Sequence, residues 1–113
     1  MEIVFASRKL EKGCNIEREG DRMWGRVNAR KVRQRMAELS AADTLAVVVK
    51  LPAARLHALK GNRKGQYAVD VKHPFRLIFE PAHDPIPTRD DGGVDLEKIT
   101  RIRVLIVEDY HGD

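Results

Sequence analysis

Apolar positions recur at helical spacing along the first part of the chain and alternate with polar ones along the rest. Ile3, Val4 and Phe5 form a short β-branched and aromatic run that predicts an opening strand. Ser7 follows as a helix N-cap. Leu10 and Cys14, four residues apart, give that helix one apolar face through about Glu19, and Gly20 closes it. Asp21 is the next N-cap. Gly25, Ala29, Val32, Met36 and Leu39 then succeed one another at spacings of four, three, four and three, a continuous stripe that carries a second helix to Leu39 or Ser40. Small residues at its start allow the first helix to approach closely, so the two are expected to form an antiparallel hairpin.

Thr44 to Leu51 reads as a strand or, better, as a helical turn or two, capped by Asp43 or Thr44 and stopped before Pro52. Beyond it the period changes to two. Tyr67, Val69 and Val71 alternate with Gln66, Ala68 and Asp70; His73-Pro74 makes a turn; Phe75, Leu77 and Phe79 then alternate with Arg76, Ile78 and Glu80. Two such runs about a short turn predict a β-hairpin. Pro81 to Glu97 holds Pro81, Pro85, Pro87, Gly92, Gly93 and five acids, the pattern of a long polar loop. From Ile99 to Glu108, Ile102, Val104 and Ile106 alternate with Arg103, Leu105 and Val107. Both faces are largely apolar, so this strand is expected to be central. The expected fold is a single α+β domain over residues 1–113: an N-terminal strand, a two-helix antiparallel hairpin, then a mostly antiparallel twisted sheet with the helices on one face.

A chain of 113 residues suits one core. At 34% charged residues, with no apolar run longer than Leu45 to Val49, no segment approaches the roughly 18 residues that span a bilayer. The single cysteine, Cys14, cannot close an internal disulfide or build a cysteine-rich metal site, which fits a reducing compartment. The N-terminal charges follow the apolar run, the reverse of a secretory signal, so a cytoplasmic protein is expected. Four scattered histidines lack the spacings of a metal site, and no phosphate-binding glycine motif is present. Neither metal nor cofactor is expected.

The formal net charge is +4, and its placement is uneven. Arg22, Arg26, Arg30, Lys31, Arg33 and Arg35 occur without an intervening carboxylate. Arg22, Arg26, Arg30 and Arg33 would share one flank of a helix, either a solvated face or a ridge that meets phosphates. Between Lys50 and Arg76 seven cations stand against one acid, Asp70. In that stretch the turn Leu59 to Gly65 gathers Lys60, Arg63 and Lys64 around glycines, a combination of cationic tips and open backbone amides that suits phosphate if it is more than a solubilising loop.

Taken singly, His57, His73, His83 and His111 read as structural. They gain chemical meaning only if the fold lays the last strand beside the Leu56–Lys60 segment. His57, Lys60, Arg76, Asp109, Tyr110 and His111 would then hold the parts for cleaving RNA through its own 2′-OH. A histidine or aspartate takes the 2′-OH proton, a histidine protonates the departing 5′-oxygen, and Lys60 or Arg76 offsets the charge gathering on phosphorus. Tyr110 could stack on a base.

The runs Leu56-His57-Ala58-Leu59-Lys60-Gly61, Arg63-Lys64-Gly65-Gln66-Tyr67 and Phe75-Arg76-Leu77-Ile78-Phe79, with the terminal Asp109-Tyr110-His111, resemble the HigB branch of the RelE/ParE toxin superfamily. The resemblance extends over nearly the whole chain. It implies a RelE-like fold and a metal-independent endoribonuclease that acts on mRNA in the ribosome, held inactive by a helix-turn-helix antitoxin of HigA type. It also implies that His57, Asp109, Tyr110 and His111 occupy catalytic positions and Lys60 and Arg76 charge-stabilising ones, with basic surface docking ribosomal RNA. The loop Pro81 to Glu97 is an insertion relative to shorter members. Two other readings stand beside this one: a ParE-like inhibitor that contacts gyrase without catalysis, and a nucleic-acid binder using the Arg22–Arg35 ridge.

Overall fold

In the computed structural model, which describes residues 1–109, strand β1 (Glu2–Phe5) leads into three consecutive helices, α1 (Arg8–Asn15), α2 (Glu17–Trp24) and α3 (Arg26–Ala41). A short helix α4 (Leu45–Val49) follows, and then strands β2 (His57–Ala58), β3 (Tyr67–Asp70), β4 (Phe75–Pro81) and β5 (Arg101–Asp109). The strands form one sheet in the order β1-β5-β4-β3-β2. β1 runs parallel to β5, and every other neighbouring pair is antiparallel. This is the expected α+β arrangement, with β5 between β1 and β4.

The opening helices differ from the expected hairpin in where they break. Ser7 does cap α1, its hydroxyl accepting from the Leu10 amide at 3.1 Å, and Leu10 and Cys14 are buried. Ile16 then adopts an extended conformation, so α1 stops before Glu19. Gly20 lies inside α2 rather than closing a helix, and Asp21 is no cap. The joint before the long helix is Gly25, at φ +80°, a left-handed region that glycine enters without steric cost. Gly20 is instead used for proximity: a Cβ there would come within 2.5 Å of the Gly13 carbonyl oxygen, so α1 and α2 touch backbone to backbone. The apolar stripe of α3 is as expected from Ala29 onward, with Ala29, Val32 and Leu39 buried.

The helices cover one face of the sheet. Leu77, Phe79, Val69, Ile102 and Val104 meet Leu10, Val32, Leu39 and Leu45 in the main core. Each such side chain contributes about 1.5–3 kcal/mol by leaving water. The opposite face carries only a small cluster, Leu59, Ala68 and Ile78 with Leu105 against it. A bulge decides which residues of β5 face which way. Ile78 pairs with Ile106 but Phe79 with Val104, so Leu105 has no partner across β4. Past the bulge the alternation is reset: Val107 turns into the core at 8% exposure, and Ile106, expected beside Val104, turns out at 40%.

The Pro81–Glu97 loop is a folded arm. Arg89 and Gly93 close a turn, Thr88 and Val94 form a β-bridge, and Asp95 donates its amide to the Pro87 carbonyl. Val94 and Leu96 pack on the main core.

Candidate functional site

The open face of the sheet, the one without helices, is where several predicted residues meet. The β-ladder sets Asp70, Arg76 and Glu108 side by side on β3, β4 and β5. Two residues along, the next row on that face is Ala68, Ile78 and Ile106, and His57 of β2 stands opposite Ala68. Both rows follow from the two-residue period of strands.

Arg76 is the best-fixed cation of the predicted set. Its side chain is only 16% exposed, its Nε lies 3.3 Å from Asp70 Oδ1, and its Nη1 donates to the Pro74 carbonyl at 3.0 Å. Asp70 also binds Arg55 through its other oxygen at 3.2 Å. Its backbone carbonyl in turn accepts from Arg35 Nε at 2.6 Å. Arg35, counted by sequence among the basic ridge, is buried at 4% exposure. It further donates to Ala53 O and Glu38 Oε1, both at 2.9 Å, and so ties α3 to the end of β3. One carboxylate thus fixes two guanidinium groups, and a buried third arginine fixes the strand that carries it.

The basic turn after β2 is a single 3-10 turn, Gly61–Arg63. Lys60 and Lys64 are exposed there, while half-buried Arg63 makes an ion pair with Glu108. Arg63 therefore bridges the turn to the last strand. His57 is half-buried, and its Nδ1 lies 2.9 Å from the Arg55 carbonyl. A neutral imidazole held this way keeps its proton on Nδ1 and its lone pair on Nε2, the tautomer of a base.

Asp109 ends β5 opposite Phe75, one position past the Arg76–Glu108 pair. The alternation places it on the side of Phe75 and Val107, not of Arg76. From His57 it is removed by three strand spacings and three residues along the ladder, a Cα separation of roughly 17 Å. The last strand thus lies beside the strand bearing Arg76 and three strands from that bearing His57. Tyr110 and His111 lie outside the described residues.

The basic ridge is divided. Arg22 sits on α2, paired with Glu19 at 3.6 Å, and Gly25 interrupts the helix between it and Arg26. Arg26 and Arg30 are exposed, whereas Arg33 is half-buried, 3.5 Å from Asp21. Arg22, Arg26, Arg30 and Arg33 therefore do not form one helical flank. A cleft of about 540 Å³ between β1, α1 and α3 has Arg33 on its wall and none of the predicted catalytic residues.

Sequence reasoning missed Asp70, Glu108 and Arg35 as the groups that position the site's cations. Asp70 alone left a signal, as the one acid in the Lys50–Arg76 stretch. Among the described residues no cluster of histidine, cysteine and acidic side chains could hold a metal ion, and no helix is long and apolar enough to cross a membrane. The Cys14 thiol, buried in the core, is pushed up to about 12 by loss of solvation and stays protonated.

Neither a protein-family model nor a curated protein matches the sequence. Solved structures do match in shape. The YoeB–YefM complex from Staphylococcus aureus contains a chain that superposes with a TM-score of 0.55 at 15% identity, over 99% of this chain and 98% of that one. This chain has the fold of the RelE/YoeB-like toxins. A YoeB/ParE toxin from Agrobacterium tumefaciens gives a TM-score of 0.53 at 13% identity, with 98% and 100% of the two chains covered. At such identities the likeness is one of fold. It is also end to end.

Proposed function

We propose that this chain is the toxin of a type II toxin–antitoxin pair, of HigB type, that cuts mRNA on the ribosome. The observation that carries the reading is Arg76: a half-buried guanidinium clamped by Asp70 on the uncovered face of a RelE-like sheet, beside the strand from which Asp109-Tyr110-His111 continues. A fixed cation there offsets the charge that builds on phosphorus when the ribose 2′-oxygen attacks it. Lys60 and Lys64 at the β2–β3 turn are suited to hold the flanking phosphates.

In this proposal the 2′-OH loses its proton to a base as its oxygen bonds to phosphorus. The P–O5′ bond breaks, and an acid delivers a proton to the departing 5′-oxygen. The products are a 2′,3′-cyclic phosphate and a 5′-OH end. His57 and His111 are the proposed proton carriers, Arg76 and Lys60 the charge stabilisers, and Tyr110 orients the nucleotide; Asp109, on the face away from Arg76, has no proton-transfer role. A well-placed proton transfer contributes roughly 10²–10⁴ in rate. The partner proposed to restrain the chain is a helix-turn-helix antitoxin of HigA type; the YoeB–YefM complex of the staphylococcal fold neighbour supports an antitoxin partner but not its type.

The test is to map transcript ends by primer extension in cells expressing the chain. Cuts on translated mRNA with 2′,3′-cyclic phosphate ends are expected, and they vanish in Arg76→Ala and His111→Ala while circular dichroism stays native. Intact transcripts with inhibited gyrase overturn it in favour of a ParE-like contact toxin.

A further inference from the structure

The folded arm changes the surroundings of the basic turn. Its tip, Gly92-Gly93-Val94, stands across from the Ala58–Tyr67 segment and encloses a cleft of about 440 Å³. A second cavity of about 310 Å³, lined by His57 and Arg89, shares Ala58, Tyr67 and Val94 as its wall. The two spaces adjoin, one at the basic turn and one at His57.

The larger cleft has three properties that point to one class of occupant. Glycines line it from both sides: Gly61, Gly65 and Gly92 sit at φ +63°, +93° and +88°, where most side chains are strained, and a Cβ on any of them meets nothing within 4 Å. Its walls combine apolar surface from Leu59, Tyr67 and Val94 with Gln66, whose side-chain oxygen is itself buried and has no hydrogen-bond partner among the described residues. Among the described residues that line it, exposed Lys60 and Lys64 are the charged groups and none is an acid. A mostly apolar slot with a cationic rim matches a planar, uncharged heterocycle joined to an anionic backbone. The Tyr67 ring that backs the slot is fixed by stacking on Phe79 at 6.1 Å.

We infer that the arm around Gly92 and the turn around Lys64 form a binding slot for one unpaired nucleobase of an RNA strand, next to the nucleotide that reaches His57. The inference rests on the ribonuclease reading for its biological meaning and adds to it a second point of contact, supplied by the arm, that selects which sequence is cut.

The experiment titrates the ¹⁵N-labelled full chain with the trinucleotides ApApA, CpCpC, GpGpG and UpUpU. Amide signals of Gly61, Gly65, Gly92 and Gly93 are expected to move together with at least one of them. Ala58→Phe, which places a ring in the shared wall, is expected to weaken that binding about tenfold or more. Exposed Lys64→Ala, which leaves the core untouched, is expected to lower the dependence of log K on log salt by about 0.7. The slot is overturned if no trinucleotide moves the glycines, if both variants bind as the wild type does, or if only an antitoxin protein moves them. Glycines that respond in a chain that cuts no mRNA leave the slot standing and remove the nuclease; mRNA cleavage with unresponsive glycines does the reverse.

Discussion

Asp70 and Arg76 face each other across β3 and β4, and Asp70 Oδ1 lies 3.3 Å from Arg76 Nε while Oδ2 holds Arg55 at 3.2 Å. The Arg76 contact is ionic rather than an aligned hydrogen bond, since Oδ1 has no hydrogen-bond partner among the described residues. Asp70 is therefore a positioning residue for Arg76. Asp70→Asn keeps the shape and removes the charge. Cleavage of a reporter mRNA in a translation extract is expected to fall roughly tenfold through kcat, with stability lower by no more than about 1 kcal/mol because both partners keep some solvent contact. Unchanged kcat would remove Asp70 from the site.

Arg35 is the buried arginine that anchors this corner, with hydrogen bonds to Asp70 O, Ala53 O and Glu38 Oε1. Arg35→Ala leaves two carbonyls and a carboxylate without their donor. A loss of about 3–5 kcal/mol in urea unfolding is expected. An exposed ridge arginine such as Arg30 changed to Ala is expected to stay within about 0.5 kcal/mol of the wild type.

Gly20 gives a prediction whose sign separates local from tertiary effects. Alanine is the better helix former by about 1 kcal/mol, so Gly20→Ala in an isolated α2 would stabilise. In the folded chain its Cβ would lie 2.5 Å from the Gly13 carbonyl oxygen, backbone that cannot swing aside. A net loss of about 1–3 kcal/mol is expected by thermal unfolding.

Cys14 titrates near 9.0 when unfolded and about 12 when folded, because burial disfavours the thiolate. A folded-state value above the unfolded one stabilises below pH 9 and is lost as pH rises toward 12. Tyr67, also raised by burial, acts in the same direction. Stability is expected to decline above pH 9, and less steeply in Cys14→Ala. At pH 8.5 the native thiol should alkylate on the order of 10³ times more slowly than the unfolded one, provided alkylation proceeds without global opening.

Arg26 and Arg30 are exposed on α3 and set apart from the sheet's open face by the core. If α3 meets ribosomal RNA, changing both to Gln weakens ribosome binding at low salt and has less effect as salt rises. The loss is read by sedimentation at two or more salt concentrations, and a salt-independent loss would exclude a phosphate contact.

Much of this fold was legible because its signals are local. Ser7 caps α1 as read, the Ala29–Leu39 stripe is buried as read, and the period-two runs became β3, β4 and β5. The helix boundaries were misplaced where two glycines competed. Gly20 has the composition of a stop, yet its position was decided by contact with Gly13, and the actual stop fell at Gly25. The two-residue strand β2 had too few residues to show any period. The site was half legible. Arg76 and the Lys60–Lys64 turn stand on the uncovered face and its edge, but nothing in the spacing of Arg35 marks it as buried.

Order along the chain thus determined the elements, their approximate ends and the uneven distribution of charge, since each depends on neighbours within a turn or a pair of strands. Which residues share a face was decided only in three dimensions. A single unpaired residue, Leu105, reverses the alternation of β5, and with it Glu108 joins Arg76 while Asp109 faces the other way. The distance from His57 to the last strand is likewise a property of strand order, set by long-range hydrogen bonds and packing that no local pattern encodes.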